Sequence, residues 1–109
     1  CKKKKEDDVC RAFDAITQIN PSCAVPSVCC PVETGNCYYV APNGTRYTCD
    51  ASLDSDSNPD GCNAAQLQYI QANCQTTKMD AAARERIMLE LSLFTREMMV
   101  KARNMSVCY

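Results

Sequence analysis

The chain has 109 residues, 46% of them hydrophobic, which is one domain's worth of sequence around one modest core. Twelve Lys and Arg stand against thirteen Asp and Glu, a net charge of −1 that provides no overall field for steering nucleic acid. There is no histidine, so the usual base for a serine or cysteine nucleophile is missing, and apolar runs such as Ile87 to Leu89 are cut by Glu90 and Ser92 before they could span a bilayer.

Cysteine is the dominant signal. Cys1, Cys10, Cys23, Cys29, Cys30, Cys37, Cys49, Cys62, Cys74 and Cys108 make ten, an even count at a density that reads as a disulfide scaffold. Thiols this dense point to an oxidising compartment, the secretory pathway or the cell exterior. Without histidine or a Cys-x-x-Cys pair, and with Cys29 and Cys30 vicinal, a tetrahedral zinc site is not expected. No other metal or cofactor is expected either. At the start, Lys2 to Lys5 follow Cys1 where a signal peptide would carry an apolar run. They read as the solvated terminus of a mature product or an excised domain.

In chain order, Glu6-Asp7-Asp8 ahead of Val9, Phe13 and Ile16 predicts a first helix over 6 to 19, stopped by Asn20-Pro21. Pro21, Pro26 and Pro31 predict an irregular stretch through Cys23, Cys29 and Cys30, held by disulfides. Residues 37 to 41 and 45 to 49 are rich in strand formers and flank Pro42-Asn43-Gly44, which predicts a hairpin with a three-residue loop. That loop sets Tyr39 opposite Tyr47 and Cys37 opposite Cys49, making the last two candidates for a bridge. Roughly a thousand complete pairings of ten cysteines exist, and spacing does not choose among them.

Asp54-x-Asp56-x-Asn58-x-Asp60-Gly61 places oxygen-bearing side chains at alternate positions, as a calcium loop does. Counted from Asp56, position 12 is Leu67 where a glutamate is needed, so the stretch reads as a solvated turn with Asp60 or Asn63 capping a second helix over 63 to 74. Thr77-Lys78-Met79-Asp80 resembles a capping box and opens a third helix over 78 to 104. Ile87, Leu91, Phe94, Met98, Ala102 and Met105 form its core stripe, while Leu89, Leu93 and Val100 lie off that stripe and predict an interface. Glu85, Glu90 and Glu97 on the same helix read as a solvated face rather than an acid/base pair.

Two sequons, Asn43-Gly44-Thr45 at the hairpin tip and Asn104-Met105-Ser106 at a helix end, are candidate glycosylation sites. The expected architecture is therefore mainly α with a small β-hairpin, a single disulfide-rich domain over 1 to 109 with one long C-terminal helix. The expected function is that of a secreted, non-enzymatic, cysteine-rich glycoprotein acting through protein-protein contacts. It would be a subunit of an extracellular assembly joined through the C-terminal helix, with no nucleic acid partner and no membrane span. Two alternatives fit the same scaffold: a freely secreted toxin, pheromone or effector, and a carrier of apolar molecules with Met79, Met88, Met98, Met99 and Met105 lining its cavity.

Overall fold

A computed structural model describes residues 8–32, 36–55, 58, 61–75 and 79–105. Four short strands are interleaved with helices: β1 (Val9–Ala12), α1 (Ile16–Ile19), β2 (Ser27–Cys30), β3 (Tyr38–Val40) and β4 (Arg46–Thr48), then a 3-10 turn (Ala51–Leu53), α2 (Asn63–Asn73) and α3 (Ala81–Met105). The strands form one antiparallel sheet in the order β1-β2-β3-β4. The expectation of a mainly helical chain with a lone hairpin is thus overturned.

Two misread segments account for the difference. Residues 6 to 19 do not form one helix: Val9–Ala12 is a strand, and among the described residues of this range only the turn Ile16–Ile19 is helical. The pairing explains the override, because β1 lies against β2 with Cys10 directly opposite Cys29, and these two form a disulfide. The Phe13 amide then donates to the Pro26 carbonyl at 2.9 Å, prolonging the pairing past the end of the strand. The proline-rich stretch is the second case. Pro26 and Pro31 stand just outside Ser27–Cys30, bounding a four-residue strand whose interior amides remain available to the ladder.

The hairpin has the expected register, with Tyr39 opposite Tyr47. Its tip is closed by the Gly44 amide on the Ala41 carbonyl (2.8 Å) and the Ala41 amide on the Thr45 carbonyl (2.9 Å). Gly44 has φ +93°, a left-handed conformation that residues other than glycine seldom adopt. Cys37 faces Cys49 as expected, the Cys49 amide donating to the Cys37 carbonyl at 2.9 Å, yet the two are not bridged. Continuing the β2-β3 register past Cys29 and Tyr38 also sets Cys30 opposite Cys37, so Cys37 has a cysteine across the ladder on either side. It bonds to Cys30, and the start of α2 brings Cys62 to Cys49.

Alternation places Val9, Arg11, Val28, Cys30, Tyr39 and Tyr47 on one face of the sheet. Both long helices cover that face, α3 over β1 and β2, α2 over β3 and β4. Val28, Tyr39, Tyr69, Ile70, Ile87 and Leu91 are wholly buried between the layers, and Ile16 of α1 closes the core beside α3. Cys23–Cys74 ties the segment after α1 to the end of α2. Both helices have a side-chain oxygen at their start. Asp60 lies outside the described residues, and the N-cap position of α2 is Cys62, which makes no side-chain cap bond; the Asn58 side-chain oxygen accepts the Asn63 amide at 2.9 Å. α3 starts three residues later than expected because Asp80 is its cap, accepting the Ala83 amide at 2.8 Å.

Candidate functional site

α3 has two faces with opposite fates. Ile87, Leu91, Thr95, Met98 and Ala102 are buried against the sheet and α2. At 100° per residue, Leu89, Leu93 and Val100 fall within about 40° of one another on the side away from the core, together with Ala82. Leu89 is 62% exposed, Leu93 61% and Val100 60%, which is unusual for three large apolar residues on one stripe. Charged side chains border the stripe. Glu85 and Arg96 lie along one edge, Arg86, Glu90 and Glu97 along the other, and the Arg86 Nε donates to Glu90 Oε2 at 2.9 Å.

A shallow groove runs along the second edge, lined by Phe13, Leu89, Glu90, Leu93, Phe94 and Glu97. Its floor is aromatic: the rings of Phe13 and Phe94 stand 5.3 Å apart, and the Arg11 guanidinium lies 5.7 Å above Phe94. The sequence placed Phe13 in a first helix and so concealed this contact, which arises only because β1 runs beside α3.

Beneath the stripe, a buried polar cluster pins the inner face. Thr95 Oγ1 donates to the Leu91 carbonyl (2.7 Å), which leaves its lone pairs for the Tyr39 hydroxyl at 2.9 Å. The Gln66 side-chain nitrogen donates to both the Tyr39 oxygen (3.2 Å) and the Ser92 hydroxyl (2.9 Å), whereas Gln66 Oε1 is buried with no hydrogen-bond partner among the described residues. Strand, α2 and α3 are thereby fixed in register, and the outer stripe is held on a rigid support. No sequence signal marked these residues, since Gln66, Ser92 and Thr95 read as ordinary polar helix positions.

The other expected residues are placed as follows. Cys10–Cys29, Cys23–Cys74, Cys30–Cys37 and Cys49–Cys62 are disulfides, and no described cysteine is free. Cys1 and Cys108 lie outside the described residues. Asn43 is exposed at the hairpin tip, where its side-chain oxygen accepts the Thr45 amide at 3.0 Å and leaves the amide nitrogen, the atom a glycan would join, outside that bond. Asn104 is exposed in the last turn of α3, and its sequon partner Ser106 is outside the described residues. Of the acidic stretch, Asp54 is exposed and Ser55 and Asn58 pair with each other, while Asp56 and Asp60 are outside the described residues. Among the described residues no three His, Cys, Asp or Glu side chains gather as a metal site would require. Met98 is buried, and Met79, Met88 and Met99 pack against the core cluster. Met105 ends α3, its side chain outside the described set.

Two tyrosines are perturbed. Tyr69 has its pKa pushed well above the usual value, by burial first and by the neighbouring Tyr47 second, while its hydroxyl donates to the Ala24 carbonyl at 2.6 Å. Tyr38, on the sheet face away from α2 and α3 and beneath the Arg46 guanidinium, is raised by partial burial and then by its hydrogen bond to Asp8. Among the described residues no helix is long and apolar enough to cross a membrane. No family model, curated protein or solved structure matches the chain.

Proposed function

We propose that this chain is a secreted, non-enzymatic, disulfide-stapled glycoprotein that works through protein-protein contact, as one subunit of an extracellular assembly joined through the outer face of α3. One observation carries the reading: Leu89, Leu93 and Val100 are each about three-fifths exposed on the same stripe of a helix whose opposite face is already buried. Solvent exposure of such a stripe is unfavourable by roughly 25 cal/mol for each Å² of apolar surface, so it gains by being covered. Four disulfides among the described residues are compatible with an oxidising, extracellular setting. A glycan on Asn43 belongs to the same proposal, at the exposed tip of the hairpin.

The test places charge on the stripe. Leu93→Glu and Val100→Glu abolish assembly, read as the native mass of the secreted protein under non-denaturing conditions, while far-ultraviolet circular dichroism and the thiol count stay unchanged. Loss of the fold in either variant would show instead that this face belongs to the protein's own core.

A further inference from the structure

The outer face of α3 reads almost the same in both directions about Leu91. Outward from that centre come Leu89 and Leu93, then Arg86 and Arg96, then Glu85 and Glu97, then Ala82 and Val100. Each pair is equidistant from residue 91. The described side chains on this face are exposed, from Ala82 to Val100. We propose that α3 pairs with α3 of a second copy in antiparallel orientation, centred on Leu91; this deepens the preceding reading by naming the partner and rests on it.

An antiparallel pair related by a two-fold axis across the helices brings the same edge of each helix together. In the register centred on Leu91, Leu89 of one copy packs on Leu93 of the other, and small Ala82 meets the larger Val100. Along the first edge, Glu85 comes within one residue's rise, about 1.5 Å along the axis, of the second copy's Arg96. Along the second edge, Arg86 stands in the same relation to the second copy's Glu97. Symmetry doubles each contact, so four oppositely charged pairs bracket six large apolar side chains. Arg86 remains within reach of Glu90 on its own helix, 2.9 Å away here, and can bridge the two carboxylates. A parallel pair would also oppose Glu85 to Arg86 and Arg96 to Glu97. It would, however, face Ala82 with Ala82, leaving a gap in the seam, and would set the two helix dipoles side by side in the same sense. Size matching and dipoles together select the antiparallel form.

Charge exchange separates the two registers. Sedimentation velocity at low ionic strength, up to about 500 µM, reads a reversible monomer-dimer equilibrium for the parent protein. Glu85→Arg alone, or Arg96→Glu alone, weakens it about tenfold, because each turns two symmetry-related attractions into repulsions. The double variant Glu85→Arg/Arg96→Glu restores dimerisation to within about threefold of the parent, since the exchanged charges still oppose each other in the antiparallel register. In a parallel pair the same double variant would set arginine beside Arg86 and glutamate beside Glu97 and be weaker than either single variant, which overturns the proposal. A parent protein that stays monomeric throughout overturns it as well. Leu93→Glu distinguishes the levels of failure: a dimer lost in Leu93→Glu but not restored by the charge exchange removes the register and leaves the interface, whereas a dimer indifferent to Leu93→Glu removes both.

Discussion

Gln66 offers a sharp test of how the sheet and helices are joined. Its Oε1 is buried without a hydrogen-bond partner, while its nitrogen serves the Tyr39 and Ser92 oxygens. Tyr39→Phe deletes the hydroxyl that Thr95 faces and that Gln66 donates to. Two buried hydrogen bonds worth about 1 kcal/mol each are lost, and a Gln66 N–H is left unsatisfied, so the expected cost is about 2–3 kcal/mol. Gln66→Met keeps the volume, loses two donated bonds and relieves the orphaned carbonyl, whose burial itself costs about 1–3 kcal/mol; the terms offset to within about 1 kcal/mol. In the double variant the phenylalanine no longer strands a Gln66 N–H, and Thr95 still donates to the Leu91 carbonyl. The double should therefore be more stable than the sum of the singles by about 1–2 kcal/mol. Urea unfolding at constant m-value measures all four proteins. Additivity within about 0.5 kcal/mol, or a Gln66→Met loss as large as that of Tyr39→Phe, would refute this account of the cluster.

Two further outcomes follow from the crosslinks and the tyrosines. Removing the Cys23–Cys74 bridge, which spans 51 residues, as a paired alanine variant costs about 4 kcal/mol by the loop-entropy relation, against about 2.5 kcal/mol for Cys30–Cys37, which spans 7; thermal unfolding that ranks them in the opposite order rejects loop entropy as the cause. Tyr69 is held neutral by burial, its pKa raised above the ordinary 10.0, so its contribution is fully present below that pH and is lost as pH rises beyond it toward the folded value. Melting temperatures measured upward from about pH 9 should fall with a shallower slope in Tyr69→Phe than in the parent protein, and parallel slopes would mean that this phenol does not govern the alkaline limb.

The long C-terminal helix could be read from the chain because its apolar residues keep one face for several turns, and the hairpin could be read because Pro42-Asn43-Gly44 is a local device; α2 has no such clean face, since Gln66 is buried and Leu67 exposed. Each of those signals lies within a few residues of what it specifies. The four-stranded sheet depends instead on pairings that join residues 9–12 to 27–30 and 27–30 to 38–40, and nothing local announces them. The disulfides follow the same division. Cys37 sits across the ladder from both Cys30 and Cys49, and the choice between them is made by α2, which delivers Cys62 to Cys49 from outside the sheet. The exposed stripe of Leu89, Leu93 and Val100 was legible because it shares the helix period; the groove beside it was not, because Phe13 reaches Phe94 only through the position of β1.

The first segment is the place where local and tertiary preference conflict, and the conflict can be measured. Residues 6 to 19 carry acidic residues ahead of an apolar set at helical spacing, a pattern that favours a helix by its dipole and by its amphipathic face. In the folded protein Val9–Ala12 is nevertheless extended, with Cys10 bonded to Cys29 and a ladder to β2 that supplies hydrogen bonds a lone fourteen-residue helix could barely sustain in water. A peptide of residues 6 to 19 with Cys10→Ser should accordingly be mostly unfolded in buffer and become helical in trifluoroethanol, where local preference acts without the sheet. If it stays extended or unfolded in the alcohol, the helical pattern has no local strength and β1 is a strand by its own propensity. If it becomes helical, the partner strand and the Cys10–Cys29 bridge are what impose the extended form, and with it the Arg11-Phe13-Phe94 wall beside the exposed stripe of α3.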